Sequence, residues 1–261
     1  MLQLCVLGSG SSGNCIYLST GKHRLLVDAG LSGKEIERRL KVIGVDPASI
    51  AAVCVTHEHE DHIGTLGLLK KRYGMRLYAN SGTVEAIELA GKESGMDWNI
   101  FSTGYRFAMD DIEVEPFSVP HDAMDPVGFV FRCGSISAGV ATDIGTATGL
   151  VKQRLRGCSI LVLESNHDTD MLHGSERPWS LKQRIAGRHG HFSNEQASGL
   201  VGEVADAKLQ VVFLAHLSKE CNDPKKAVKA MRSALDARGL TGVAVELTNA
   251  DEPSRLWTVD V

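Results

Sequence analysis

The run His57-Glu58-His59-Glu60-Asp61-His62 constrains this chain more than any other segment. It follows the apolar stretch Ile50 to Val55, so it leaves the end of a strand. A chain emerging there can turn His57 and His59 toward one metal ion, and Asp61 and His62 toward a second close by. Imidazole nitrogen with carboxylate oxygen suits borderline cations such as zinc, iron and manganese. Asp28, His121, Asp143 and His216 complete such a site. Each follows an apolar, strand-like run: Leu25-Leu26-Val27, Val119-Pro120, Val140-Ala141-Thr142 and Val211 to Ala215. A sheet gathers such ends onto one edge. An acid at position 28 is costly to bury unpaired, which suits it to accept a hydrogen bond from the far nitrogen of a ligating histidine.

The chain has 261 residues, enough to bury roughly 70–75% of the unfolded surface without staples. No apolar run approaches the ~20 residues that span a bilayer, and Met1-Leu2-Gln3-Leu4-Cys5 does not open a secretory signal. The expected setting is therefore cytoplasmic, with no membrane partner. The six cysteines form no CxxC pair and read as reduced core thiols. A net charge of −4 does not favour bulk nucleic-acid binding. Locally, Arg177 to His191 carries Arg177, Lys182, Arg184 and Arg188 with no acid, and Lys219 to Arg232 sets five bases against Glu220 and Asp223. Both stretches suit either a phosphate-facing rim or solvated helix faces. Glu58, Glu60, His23, His173 and His189 read as solvated.

Apolar periodicity and turn residues predict strands at Leu2 to Leu7, Cys15 to Leu18, Arg24 to Val27, Ile50 to Val55, Arg76 to Ala79 and Ile112 to Val119. A hairpin follows over Val127 to Cys133 and Ile136 to Ala141, then strands at Ile160 to Leu163, Leu209 to Leu214, Val243 to Leu247 and Leu256 to Val259. Helices are predicted from Ser32 to Ile43, with Ser32 and Glu35 forming a capping box, and over Leu66 to Tyr73, Thr83 to Glu93 and Ala147 to Arg154. Two more run from Ser193 to Val204, again with a box (Ser193 and Gln196), and from Pro224 to Arg238. This alternation fits two packed sheets flanked by helices.

Gly8-Ser9-Gly10-Ser11-Ser12-Gly13 matches the GxGxxG dinucleotide pattern, but that reading requires a helix next. The following Asn14-Cys15-Ile16-Tyr17-Leu18 is β-prone, so the segment reads as a turn between strands. Its amides and hydroxyls remain candidates for the border of an anion site.

The order Asp28, His57-x-His59-x-Asp61-His62, His121, Asp143, His216 resembles the five motifs of the metallo-β-lactamase superfamily across essentially the whole chain. That resemblance implies an α/β (α+β) fold, a four-layer αββα sandwich with metals at one edge of the sheets, formed by residues 1–261 as a single domain. It also implies two divalent ions, Zn²⁺ or Mn²⁺. His57, His59 and His121 would bind one ion; Asp61, His62 and His216 would bind the other; Asp143 would bridge them, with Asp28 and Glu164 supporting ligands from behind. Where β-lactamases often carry cysteine, this chain has Asp143, which is typical of the hydrolase and nuclease branches.

Gly8 to Asn14, Leu163-Glu164-Ser165-Asn166-His167-Asp168 and Gly190-His191-Phe192-Ser193-Asn194-Glu195 look like the YycJ/WalJ-type group, which is associated with exonuclease activity on DNA and is similar to ribonuclease J and other β-CASP nucleases. By that resemblance Glu164 and His191 lie near the scissile phosphate, Asp61 and His191 are catalytic, and His191, Ser193 and Asn194 touch the substrate. About fifty residues separate Glu164 from His216, too few for an inserted β-CASP domain. The expected function is metal-dependent phosphodiester hydrolysis by a DNA exonuclease of DNA repair or processing, with DNA favoured over RNA. A thioester or lactone hydrolase of the glyoxalase II type is the alternative. A non-catalytic metal-binding protein and a di-iron oxidoreductase fit the residues less well.

Overall fold

The computed structural model describes residues 1–92 and 95–260. The first half builds strands β1 (Leu2–Gly8), β2 (Cys15–Ser19), β3 (Arg24–Val27), β4 (Ala52–Cys54), β5 (Arg76–Asn80) and β6 (Trp98–Phe101). The second half builds β7 (Phe107–Met109), β8 (Ile112–Ser118), β9 (Val127–Cys133), β10 (Ile136–Ala141), β11 (Ile160–Glu164), β12 (Val211–Ala215), β13 (Ala244–Leu247) and β14 (Trp257–Val259). Among the described residues these form two seven-stranded sheets, ordered β14-β1-β2-β3-β4-β5-β6 and β13-β12-β11-β10-β9-β8-β7.

The helices are α1 (Gly33–Val42), α2 (Glu60–Ile63), α3 (Leu66–Tyr73), α4 (Ser81–Leu89), α5 (Gly149–Leu155), α6 (Thr169–Gly174), α7 (Trp179–Ile185), α8 (Asn194–Val204) and α9 (Pro224–Ala237). α1 starts where Ser32 accepts a hydrogen bond from the Glu35 amide. The expected box stays half-made there, because the Glu35 carboxylate turns to Arg38 and Arg39 instead. α8 carries the complete box of Ser193 and Gln196. The helix expected from Thr83 forms as α4, and its expected last residue, Glu93, lies outside the described residues.

Strand alternation sorts side chains into three apolar layers. Between the sheets, Leu4, Val6, Leu25 and Val27 meet Phe129, Phe131, Val162 and Phe213. On the outer face of the first sheet, Leu7, Leu26 and Val53 pack under Ile36 and Leu40 of α1 and Leu66 and Leu69 of α3. Outside the second sheet, Leu161, Leu163 and Val212 pack under Leu155 of α5, Leu200 of α8 and Met231 of α9. The result is the expected αββα order. No helix among the described residues is long and apolar enough to cross a membrane.

The register places the chemistry. β3, β4, β5 and β6 run parallel to one another, as do β10, β11, β12 and β13. Parallel strands end together, and ligands bind beyond their carboxyl ends. Asp28 follows β3, His57 follows β4, Asp143 follows β10, Glu164 closes β11 and His216 follows β12. Both sheets therefore present their chemically active residues at one edge.

Candidate metal centre

Four non-glycine residues have left-handed backbones among the described ones, and three of them are Asp28 (φ 61°), Asp143 (φ 53°) and His216 (φ 56°). Asp and His tolerate this region better than most residues, but it costs roughly 1–2 kcal/mol each. The strained turn bends each strand end sharply, so that a residue just beyond the sheet points back across its edge. The apolar runs that deliver these residues carry no sign of that backbone in the sequence.

Asp28 is buried and saturated with donors: the Thr56 amide at 2.8 Å, the Thr56 hydroxyl at 2.9 Å and His62 Nδ1 at 2.8 Å. Its bond to Nδ1 fixes the imidazole, leaving His62 Nε2 to face Asp143 Oδ2 at 3.2 Å and Asp61 Oδ2 at 3.6 Å. His121 Nδ1 is similarly taken by the Gly190 carbonyl at 3.2 Å. The rings of His57, His59 and His121 meet almost edge to face, with centroids 4.6, 5.1 and 5.2 Å apart. His57 Nε2 and His59 Nδ1 approach to 3.0 Å.

In this cluster His121 Nε2 is buried with no hydrogen-bond partner, and the buried Asp143 Oδ2 meets only His62 Nε2, at 3.2 Å. Buried polar atoms without partners are costly, and a cation at this cluster would supply what is missing. The protonation states fit such an ion. Burial and the neighbouring His62 push His57 well below the usual imidazole range, and burial lowers His121; both are neutral lone-pair donors. Burial opposes charge on His62, but Asp28 and Asp143 outweigh it and push the ring up to about 10. His216 is raised despite its burial by Asp143 and Glu164. Asp143 is buried too, yet His216 and His62 hold it well below the carboxylate range. Negative charge able to keep two buried imidazoles protonated is charge that a divalent cation can neutralise in their place.

Ligand atoms converge as three groups: His57, His59 and His121; His57, His62 and Asp143; and Asp143, Glu164, His191 and His216. Asp143 joins the last two and His57 the first two, so Asp143 does not itself belong to the His57, His59 and His121 group. The set expected for a second ion comes together in part. Asp61 stands outside the three groups, near His62, and His216 Nδ1 turns to Glu164 at 2.9 Å and Asp143 at 3.1 Å. Glu164 is fully buried and accepts from four donors: His191 Nδ1 at 2.7 Å, His216 Nδ1, the Ile144 amide at 2.8 Å and the Phe192 amide at 3.3 Å. Burial would raise it, but His191 and His216 carry the carboxyl down to about 2. In return Glu164 outweighs the burial of His191 and raises its imidazole.

His59, Asp61, His121, Asp143, His191 and His216 line a cleft of about 990 Å³. Arg177, Arg184 and Lys219 of the two basic stretches line it. Arg177 and Arg184 also pair with Glu220 and Asp122, each at 2.8 Å. Ser193 and Asn194, expected to touch substrate, do not line it. Ser193 is used as the α8 cap, and Asn194 is 1% exposed, bonded to Ser165 and Asn222. The segment after His191 is stitched into the protein by its hydrogen bonds to Asn166 and His167, which turns both side chains inward. His23, expected in solvent, is buried against Asp110 at 2.7 Å. Asn14, which sequence reasoning passed over, sends its amide to Asp61 Oδ2 at 3.1 Å.

Four layers with a histidine-rich edge at the carboxyl ends of both sheets define the class as the metallo-β-lactamase fold. The beta-lactamase superfamily domain matches residues 23–216, and the chain belongs to this family. It is 38% identical to the exodeoxyribonuclease YycJ of Bacillus anthracis, over 96% of this chain and 96% of that one. It is 33% identical to a ribonuclease Z of Pyrobaculum calidifontis over 59% of this chain and 53% of that protein. The metallo-β-lactamase fold protein YhfI from Bacillus subtilis superposes with a TM-score of 0.74 at 15% identity, covering 99% of this chain and 100% of YhfI.

Proposed function

We propose that this protein is a DNA exonuclease that hydrolyses phosphodiester bonds with two divalent cations, Zn²⁺ or Mn²⁺, and acts in DNA repair or processing. His57, His59 and His121 would hold one ion and Asp61, His62 and His216 the other, with Asp143 offered to both. The observation that carries this reading is the unpartnered His121 Nε2 beside Asp143, in a cleft that His191 also lines with Glu164 buried behind it. The name of the Bacillus anthracis relative supports DNA as substrate, and that of the archaeal relative keeps RNA in the test.

When bound, such a pair of ions acidifies water and neutralises charge on phosphoryl oxygens. The chain's own groups do the rest. Asp28 and Thr56 lock the His62 tautomer. Asp61, at the cleft, orients the attacking water. Glu164 stays ionised and keeps a proton on His191 Nδ1, leaving Nε2 for the phosphate. From there His191 donates to a nonbridging oxygen or protonates the leaving alkoxide. Arg177, Arg184 and Lys219 offer positive charge to the strand that runs into the site. Residues 1–261 act as a single domain, with α6, α7 and α8 occupying the interval where larger nucleases carry a β-CASP insertion. The free thiols suit a reducing cytoplasm.

The test is purified protein with Mn²⁺ or Zn²⁺, offered end-labelled DNA, end-labelled RNA and a lactoylglutathione-type thioester. Mononucleotide release from DNA ends is the expected result. Cleavage of RNA alone would move the assignment to a ribonuclease, and thioester turnover alone to the glyoxalase II type.

A further inference from the structure

The glycine-serine turn between β1 and β2 matched a nucleotide-binding pattern that the fold does not use. Its geometry shows what the glycines are for. A Cβ on Gly13 would fall 2.7 Å from the Gly30 backbone, and one on Gly30 would fall 1.6 Å from the Asp61 carbonyl oxygen. Three backbone segments thus touch with no room for side chains: the turn, the loop after Asp28, and the start of α2. They are sewn together by the Asn14 amide to the Asp61 carbonyl at 2.7 Å and the Gly30 amide to the Asn14 carbonyl at 2.9 Å. Glycine here serves close approach to a ligand-bearing helix, not a phosphate.

The side chains continue the same contact. Asn14 is 4% exposed and Ser9 is 5% exposed. Asn14 Oδ1 accepts from Ser9 Oγ at 3.1 Å and from the Gly10 amide at 3.0 Å, which fixes the amide's orientation. Asn14 Nδ2 then points at Asp61 Oδ2, 3.1 Å away, and lies 3.0 Å from His62 Nε2. At the other end, Ser9 Oγ accepts the main-chain N–H of His216 at 2.8 Å. That N–H belongs to a residue held in the left-handed region, where the backbone needs support. One hydroxyl and one amide therefore link the backbone of His216 to the carboxylate of Asp61.

We propose that the Gly8–Asn14 turn is a positioning element for the second cation, with Asn14 orienting Asp61 and Ser9 holding the bent main chain of His216. This rests on the two-ion reading and adds to it the residues that set the second ion's affinity. The oxygen that Asn14 holds, Asp61 Oδ2, is also the one that lies 3.6 Å from His62 Nε2, so the amide fixes the carboxylate on the side of that ring. Among the described residues no hydrogen bond joins Ser9 or Asn14 to His57, His59 or His121, so the first ion should be little affected by their loss.

Co²⁺ titration of metal-stripped protein, followed by d–d absorbance and by calorimetry, separates the two ions. Wild type takes up two. Asn14→Ala should keep the first dissociation constant within about twofold and weaken the second about 10–100-fold, the range for removing a group that orients a ligand. The absorbance of the second ion should change with it. Ser9→Ala, a smaller perturbation, should weaken the second ion in the same direction and keeps the test alive if Asn14→Ala folds poorly. Unchanged second-ion affinity in both variants would overturn the proposal while leaving the two-ion reading intact. A parallel loss of both affinities together with Tm would also overturn it, since that marks a merely structural turn. Uptake of fewer than two ions by wild type would sink the two-ion reading itself, and this proposal with it.

Discussion

Glu164→Gln, behind the cleft, is the most revealing single substitution, because it changes one atom and forces a chain of consequences. Glu164 accepts from two imidazoles through Oε1 and from two main-chain amides through Oε2. Glutamine offers one acceptor oxygen and one donor nitrogen. The amides of Ile144 and Phe192 cannot become acceptors, so the oxygen must stay with them and the NH₂ must face the histidines. Each ring then has to accept at Nδ1 and move its proton to Nε2. His216 then loses the carboxylate that holds its Nδ1 in place, and His191 loses the carboxylate that raises its imidazole. We expect second-ion affinity to fall about 10–100-fold and turnover about 10²–10⁴-fold, the range for an acid–base group. Stability should drop by about 1–3 kcal/mol from the mismatched buried contacts. Single-turnover cleavage of end-labelled DNA at saturating Mn²⁺, with a thermal melt and a metal titration, reads all three. Turnover within twofold of wild type and unchanged metal affinity would refute this reasoning.

Asp61→Ala should remove most turnover while the circular dichroism spectrum stays native, since Asp61 lies outside the core; full activity would remove it from the mechanism. His191→Ala should spare metal content yet slow cleavage roughly 10²-fold, as for loss of one oxyanion donor; this is checked by elemental analysis beside a cleavage assay. Glu115 tests the fold rather than the site. Burial would raise its carboxyl, but the hydrogen bond from Arg132 and the charges of Arg106 and Arg154 carry it below the ordinary value. A depressed carboxylate stabilises above its unfolded pKa, about 4.3, and loses that contribution as pH falls through the lower folded value. Glu115→Gln should cost about 1–2 kcal/mol at pH 7, discounted because the arginines are 27–51% exposed. The gap from wild type should close in acid, as followed by urea melts across pH.

The ligand residues were legible because the chemistry demands particular side chains and the apolar runs before them read plainly as strands. Parallel pairing then brought Asp28, His57, Asp143 and His216 to one edge, as the strand-end positions implied. Other parts left no local signal. α6 and α7 span fewer than two turns each, too short for a helical period to show. β6 and β7 are short with exposed residues, so no alternation marks them. Ser193 and Asn194 have the polarity of substrate-binding residues, but capping and the hydrogen bonds to Ser165 and Asn222 claim them. Asn14 acts on a residue 47 positions away, a pairing that only the folded chain reveals; the density of glycine around it was the available hint. The left-handed turns at three strand ends were likewise invisible, since Asp and His adopt other backbones more often.

The central claim is that seven side chains at one sheet edge hold two cations. Anomalous diffraction at the zinc and manganese edges, from crystals of carefully loaded protein, tests it directly. The account predicts two peaks: one among His57, His59 and His121, the other beside Asp61, His62 and His216, with Asp143 between them. No peak at this edge, or metal bound only elsewhere on the surface, would contradict it.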